Sequence, residues 1–91
     1  MKTDQHSLFI TVYGYDVLKN NSLISTVCAG QLESAHKRGD EVELTMTLSD
    51  LEDFIGFVAA EANHAKGRNQ RDNLNQICDY LESVAYQIKH D

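Results

Sequence analysis

The last quarter of the chain places an apolar side chain at every third or fourth position. Seven residues form this stripe: Leu74, Ile77, Cys78, Leu81, Val84, Ala85 and Ile88. This spacing keeps the seven side chains on one face of an α-helix for about four turns. The pattern predicts a long amphipathic helix over about residues 70–89. Because a single helix cannot bury its own apolar face, the rest of the chain must supply a surface that covers it.

A second helix is predicted just before this one. The segment Ser49–Glu52 matches a capping box, in which a serine and a glutamate three residues later satisfy the first amides of a helix. The apolar spacing that follows predicts a helix over about residues 50–65. The linker between the two predicted helices is short, and we therefore expect them to pack antiparallel as a hairpin.

The first half of the chain has the patterns of β-strands. Residues 41–48 alternate strictly between polar and apolar side chains, which predicts a strand with one buried face. Residues 7–17 are rich in β-branched and aromatic residues, which favours another strand. Residues 22–33 predict the strand between these two, although a helix in this segment is the alternative and would reduce the sheet to two strands. Residues 36–40 predict a turn.

These elements predict an α+β fold with the order βββαα. It consists of a three-stranded antiparallel β-meander followed by an antiparallel two-helix hairpin. A length of 91 residues is typical of one domain, and we expect residues 1–91 to form it. A domain of this size has a thin margin of stability, which self-association would increase.

Composition limits the classes of function. The chain has 14 acidic residues against eight Lys and Arg, and the net charge of −6 disfavours direct binding to nucleic acid. No run approaches the roughly 18 apolar residues of a membrane span. The two cysteines are too few for a disulfide framework. We therefore expect a cytoplasmic protein that binds neither membrane nor nucleic acid and carries no cofactor.

No catalytic motif is present in the sequence. It contains no Gly-x-Ser-x-Gly, no P-loop and no dinucleotide-binding glycine pattern, and we expect a protein that is not an enzyme. Glu61 and His64 have the Glu-x-x-His spacing of di-iron bundles, which also need a second copy of the motif and further carboxylates. The chain lacks these, and we predict no metal site. A metal or small-molecule binder using Glu61 and His64 is the third interpretation.

Aromatic side chains form the first candidate binding surface. On a strand, Phe9, Tyr13 and Tyr15 share the face that points away from the core. Phe57 lies outside the apolar stripe of its predicted helix. Exposed aromatic side chains are enriched in protein interfaces. We therefore expect a homodimeric protein–protein interaction module with a regulatory or adaptor role, which binds another protein through these four residues.

Acidic side chains form the second candidate binding surface. Residues 40–62 contain seven acids and no Lys or Arg: Asp40, Glu41, Glu43, Asp50, Glu52, Asp53 and Glu61. A continuous negative surface would attract a basic partner. In size and charge alone, the chain is similar to the small acidic inhibitors that phages and plasmids direct against nucleic-acid-processing defence enzymes. An inhibitor that binds such an enzyme through its negative surface is the alternative function.

Overall fold

The computed structural model describes residues 4–90. Within them the chain forms β1 (Gln5–Thr11), α1 (Val12–Asn20), α2 (Ser22–Val27), α3 (Ala29–Glu33), β2 (His36–Arg38), β3 (Glu41–Thr47), α4 (Leu48–His64) and α5 (Arg68–His90). The strands form one antiparallel sheet in the order β1-β3-β2. Among residues 4–90, no helix is both long enough and apolar enough to cross a membrane.

The predicted α+β fold, a three-stranded antiparallel sheet followed by a helical hairpin, is confirmed. Both helices of the hairpin end within two residues of the predicted positions. Their antiparallel packing is evident from an ion pair between Glu52, near the start of α4, and Lys89, near the end of α5. The Lys89 Nζ and Glu52 Oε2 atoms are 2.7 Å apart.

The start of α4 differs from the predicted capping box. The helix begins at Leu48, and the hydroxyl of Thr47 accepts a hydrogen bond from the N–H of Asp50 at 3.1 Å. The cap therefore lies two residues before Ser49, so β3 passes directly into α4 without a loop. This arrangement holds the first turn of α4 against the end of the central strand.

The first predicted strand, over residues 7–17, is too long. β1 ends at Thr11, whose hydroxyl accepts a hydrogen bond from the N–H of Gly14 at 2.9 Å and so caps α1. Residues 12–17 are helical, and Gly14 of α1 lies beside Ile77 of α5. The cap and this close packing outweigh the strand propensity of the β-branched and aromatic residues in the segment.

The strand predicted over residues 22–33 is wrong, and the helical alternative is correct. α2 and α3 occupy this segment. Three buried residues recur at intervals of four: Ile24, Cys28 and Leu32. That spacing fits one face of a helix and also one face of a strand. Thr26 and Gly30 distinguish the two, because a strand would bury them as well, and the structure leaves both exposed.

The sheet nevertheless has three strands, because part of the predicted turn over residues 36–40 forms β2. A two-residue turn joins β2 to β3, and Gly39 adopts a φ of 64° while Asp40 does not adopt a positive φ. These signs match a type II′ hairpin turn. β3 consequently lies between β1 and β2, so these two successive strands are not neighbours, as they would be in a meander.

The core lies between one face of the sheet and the helices. The strands contribute Leu8, Ile10, Val42, Leu44 and Met46, all buried. Helix α4 buries Leu51, Phe54, Val58 and Ala62, and α5 buries most of the predicted stripe. The other face of the sheet, the outer face, carries polar side chains and Phe9. No element among residues 4–90 covers this face, since its side chains are half-buried or exposed.

Candidate interaction surface

Three exposed aromatic side chains come from three elements that meet at the β1 edge of the sheet. Phe9 belongs to β1, Tyr13 to the first turn of α1 and Tyr80 to the middle of α5; we call these three residues the aromatic surface. They are 42 %, 65 % and 37 % exposed, respectively. Large apolar side chains exposed together are typical of surfaces that bind other proteins.

Two hydrogen bonds attach the aromatic surface to the scaffold. The hydroxyl of Tyr13 accepts a hydrogen bond from Asn73 Nδ2 at 2.8 Å. The hydroxyl of Tyr80 accepts one from the backbone N–H of Phe9 at 3.0 Å. Asn73 and Tyr80 are about two helical turns apart on the same face of α5. That face therefore lies beside the junction of β1 and α1 and holds the Tyr13 and Tyr80 hydroxyl groups there.

A polar network borders Phe9 on the outer face of the sheet. Phe9 lies directly across from Glu43 of β3. The Ser7 hydroxyl donates a hydrogen bond to the Glu43 carboxylate, and Arg38 Nε lies 3.1 Å from Glu43 Oε1. The Ser7 hydrogen bond, then Arg38 and His36, hold the pKa of Glu43 below its ordinary value. An ionised and already paired carboxylate thus forms part of the polar rim around the ring.

The structure separates the four predicted aromatic residues. Phe9 and Tyr13 are both exposed, whereas Tyr15 packs against the core and donates its hydroxyl to the Leu32 carbonyl at 3.5 Å. Phe57 lies on α4, and within residues 4–90 no hydrogen bond or ring contact joins it to the aromatic surface. Tyr80 was missed in the sequence, although it lies outside the apolar stripe of α5 just as Phe57 lies outside that of α4.

The seven acidic residues do not form one continuous surface. Glu41 and Glu43 project from the outer face of the sheet, whereas α4 covers the opposite face. The acids of α4 therefore lie on the other side of the sheet: Asp50, Glu52, Asp53 and Glu61. Two of the seven, Glu43 and Glu52, are already paired with Arg38 and Lys89. Asp40 is exposed in the turn before β3.

Glu61 has a structural contact in place of a metal partner. Its Oε1 accepts a hydrogen bond from Asn21 Nδ2 at 2.9 Å, while Asn21 Oδ1 accepts one from the N–H of Ile24 at 2.9 Å and caps α2. Glu61 therefore attaches α4 to the start of α2. His64 is exposed. In the part of the chain that the structure describes, no group of three or more His, Cys, Asp and Glu side chains could hold a metal ion.

Both cysteines are free and buried. Burial, and then a hydrogen bond from Cys78 Sγ to Glu82 Oε1 at 3.3 Å, raises the pKa of Cys78 to about 11. Burial, and then the charge of Asp53, also raises the pKa of Cys28. A thiol with a raised pKa is protonated at neutral pH, and neither cysteine is therefore suited to act as a nucleophile.

Two open grooves lie on the surface of the part of the chain that the structure describes. One of about 550 Å³ lies between α4 and α5 beside Ile55, Tyr86 and Lys89, and one of about 260 Å³ lies beside Tyr15 and Val42. Every buried side-chain nitrogen and oxygen among residues 4–90 has a hydrogen-bond partner.

Comparison with known proteins identifies no relative of this chain. No protein-family model matches the chain, and comparisons with curated proteins and with solved structures gave no match. The case for any function therefore rests on the residues themselves.

Proposed function

We propose that this chain is a non-enzymatic protein–protein interaction module with a regulatory or adaptor role, and that it binds a partner protein through the aromatic surface. The observation that supports this function is the exposure of Phe9, Tyr13 and Tyr80 on elements that meet at the β1 edge. Tyrosine is enriched among the residues that dominate binding energy at protein interfaces. Its broad ring has few rotatable bonds, so little conformational entropy is lost when it binds.

The hydrogen bonds of the two tyrosines support this role further. Because Asn73 holds the Tyr13 hydroxyl and, in the monomer, the backbone of Phe9 holds the Tyr80 hydroxyl, both rings are oriented before a partner arrives. Pre-orientation lowers the entropic cost of association. The paired Glu43 and Arg38 beside Phe9 supply the polar rim that surrounds the apolar centre of most interfaces.

We further propose that the module is homodimeric and acts in the cytoplasm without binding nucleic acid or membrane. Two free, buried thiols are in keeping with a reducing compartment. The net charge of −6 disfavours phosphate backbones. The acidic-inhibitor interpretation stays a prediction. The arrangement does not favour it, because the acids lie on opposite sides of the sheet and two of them are already paired.

Tyr86 offers a matched control for testing the aromatic surface. It is 64 % exposed, almost the same as Tyr13, but lies near the far end of α5, where its ring contacts His90 of the same helix. We would use the wild type, Tyr13→Ser and Tyr86→Ser as baits in an extract of the source cells. A protein that the wild-type and Tyr86→Ser baits retain, and the Tyr13→Ser bait does not, would then be purified as the partner, and its binding would be measured by calorimetry. Circular dichroism would confirm that each variant is folded.

We expect Tyr13→Ser and Phe9→Ser to weaken binding of the purified partner at least tenfold, and Tyr86→Ser to change it less than about twofold. A partner that binds all variants equally would overturn the assignment of the aromatic surface. The assignment would also be overturned if the wild-type bait retained no protein that the Tyr13→Ser bait fails to retain.

A further inference from the structure

β1 forms one edge of the sheet, and its backbone faces outward at alternate residues. The N–H of Phe9 donates to the Tyr80 hydroxyl and therefore points away from β3. In an antiparallel pair every second residue shares this orientation, so Gln5 and Ser7 face outward too. Apart from the bond between Phe9 and Tyr80, the outward N–H and carbonyl groups of these three residues have no hydrogen-bond partner within residues 4–90.

The two edges of the sheet differ in how they are protected against other strands. β2 has only three residues, and its sequence His36–Arg38 is basic. Short length and cationic side chains are common devices that prevent an edge from pairing. β1 has seven residues in unbroken register with β3 and contains no Lys, Arg, Asp, Glu or Pro. The β1 edge therefore lacks these devices.

We propose that β1 pairs antiparallel with β1 of a second copy of this chain, around a two-fold axis at Ser7. The inference rests on the proposed homodimer and names its interface. In this register Ser7 lies opposite Ser7 of the second copy, and Phe9 lies opposite Gln5. All outward backbone groups of these residues then meet outward groups of the other strand. The pairing joins two three-stranded sheets into one sheet of six strands.

A second copy fits this edge because the strand is complementary to itself. The same alternate positions face outward in both copies, so the outward N–H and carbonyl groups of one copy can bond to those of the other. The strand carries no acidic residue, so no acidic side chain of β1 lies opposite another where the two strands pair. The pairing also leaves the outer face of the sheet open, so the ring of Phe9 stays available to a partner.

Tyr80 competes with this pairing. In the dimer, the N–H of Phe9 donates to the Gln5 carbonyl of the second copy, so the Tyr80 hydroxyl must leave that N–H. Tyr80→Phe removes the competing hydroxyl in both copies. The variant dimer then forms without breaking a Tyr80–Phe9 hydrogen bond in each copy. Since two hydrogen bonds of ordinary strength no longer oppose association, we expect the dimer to tighten by about tenfold.

Analytical ultracentrifugation over a wide concentration range tests the interface. We expect a wild-type dimer near twice 10.2 kDa. Ser7→Lys and Ser7→Glu should both weaken the dimer severalfold, because the two-fold axis places like charges opposite each other. The two substitutions change the net charge in opposite directions, so a shared effect must be local. Thr45→Lys is the matched control, since Thr45 pairs with Ser7 on the same face but lies in the central strand. It should remain dimeric.

Amide hydrogen exchange of the wild type gives a readout that needs no substitution. The N–H of Ser7 should exchange more slowly at concentrations where the dimer forms than at concentrations where the monomer dominates. Equal exchange rates at the two concentrations would overturn the edge pairing.

The outcomes separate this interface from the broader proposal. A wild-type monomer at every concentration would overturn both the homodimer and its interface, while partner binding by Tyr13 is tested independently. A wild-type dimer that Ser7→Lys and Ser7→Glu leave equally tight would overturn the pairing around a two-fold axis at Ser7. A Tyr80→Phe dimer no tighter than the wild type would overturn the competition by the Tyr80 hydroxyl.

Discussion

Replacing Asn21 by alanine should destabilise the fold by about 2 kcal/mol. Asn21 is only 9 % exposed, and its side chain makes two hydrogen bonds. Loss of the Oδ1 cap on α2 costs about 1 kcal/mol. Loss of the donor to the Glu61 carboxylate costs about 1 kcal/mol more, since a bond to a charged group is strong but Glu61 is partly exposed.

Urea unfolding followed by circular dichroism measures this cost directly. For a domain of this size, a loss of about 2 kcal/mol lowers the melting temperature by roughly 10 °C, so a thermal melt provides a second measurement. Asn21→Ser is the matched control, because serine keeps an oxygen for the N-cap and lacks the amide donor. We expect it to cost about 1 kcal/mol, close to half the effect of alanine.

A double-mutant cycle separates the two bonds of Asn21. Combining Asn21→Ala with Glu61→Ala should reveal a coupling free energy of about 1 kcal/mol between the side chains. A cost of Asn21→Ala below about 0.5 kcal/mol, or the absence of coupling to Glu61, would refute the structural role assigned to this pair.

Three further predictions concern single positions. The raised pKa of Cys78 means that its protonated thiol stabilises the fold below pH 9 and loses this effect as the pH rises through about 11. The free energy of unfolding should therefore fall over that range, less steeply in Cys78→Ala, and equal slopes would contradict this. Gly39→Ala should cost about 1 kcal/mol because of the positive φ, and an unchanged melting temperature would argue against the turn assignment. The lowered pKa of Glu43 means that its carboxylate stabilises the fold at neutral pH and loses this effect as the pH falls through the folded-state pKa. Ser7→Ala should raise that pKa towards 4.5, as followed by NMR titration, and an unchanged titration would count against the Ser7 hydrogen bond.

The sequence predicted best the elements in which apolar side chains recur at one clear interval. The stripe from Leu74 to Ile88 fits only a helix, and it forms α5. The alternation over residues 41–48 fits only a half-buried strand, and it forms β3. In both segments the side chains must be separated into one apolar and one polar face, and only one backbone conformation does so.

Residues 12–33 were not predictable in the same way, because their local preferences conflict. Their β-branched and aromatic residues favour a strand, while the buried positions recur at a spacing that suits both a strand and a helix. The side chains of Thr11 and Asn21 decide for helix by capping α1 and α2. The contacts of Gly14 with Ile77 and of Asn21 with Glu61 then hold these helices in place, and both partners are distant in sequence.

The candidate site shows the same division. The exposed aromatic character of Phe9 and Tyr13 could be inferred from the pattern of residues along the chain. Their association with Tyr80 could not, because it depends on α5 lying beside the junction of β1 and α1, 71 residues from Phe9 to Tyr80 along the chain. The separation of the acids likewise depends on which face of the sheet α4 covers. A period along the chain determines which side chains share a face of one element, and only the packing of elements determines which faces meet.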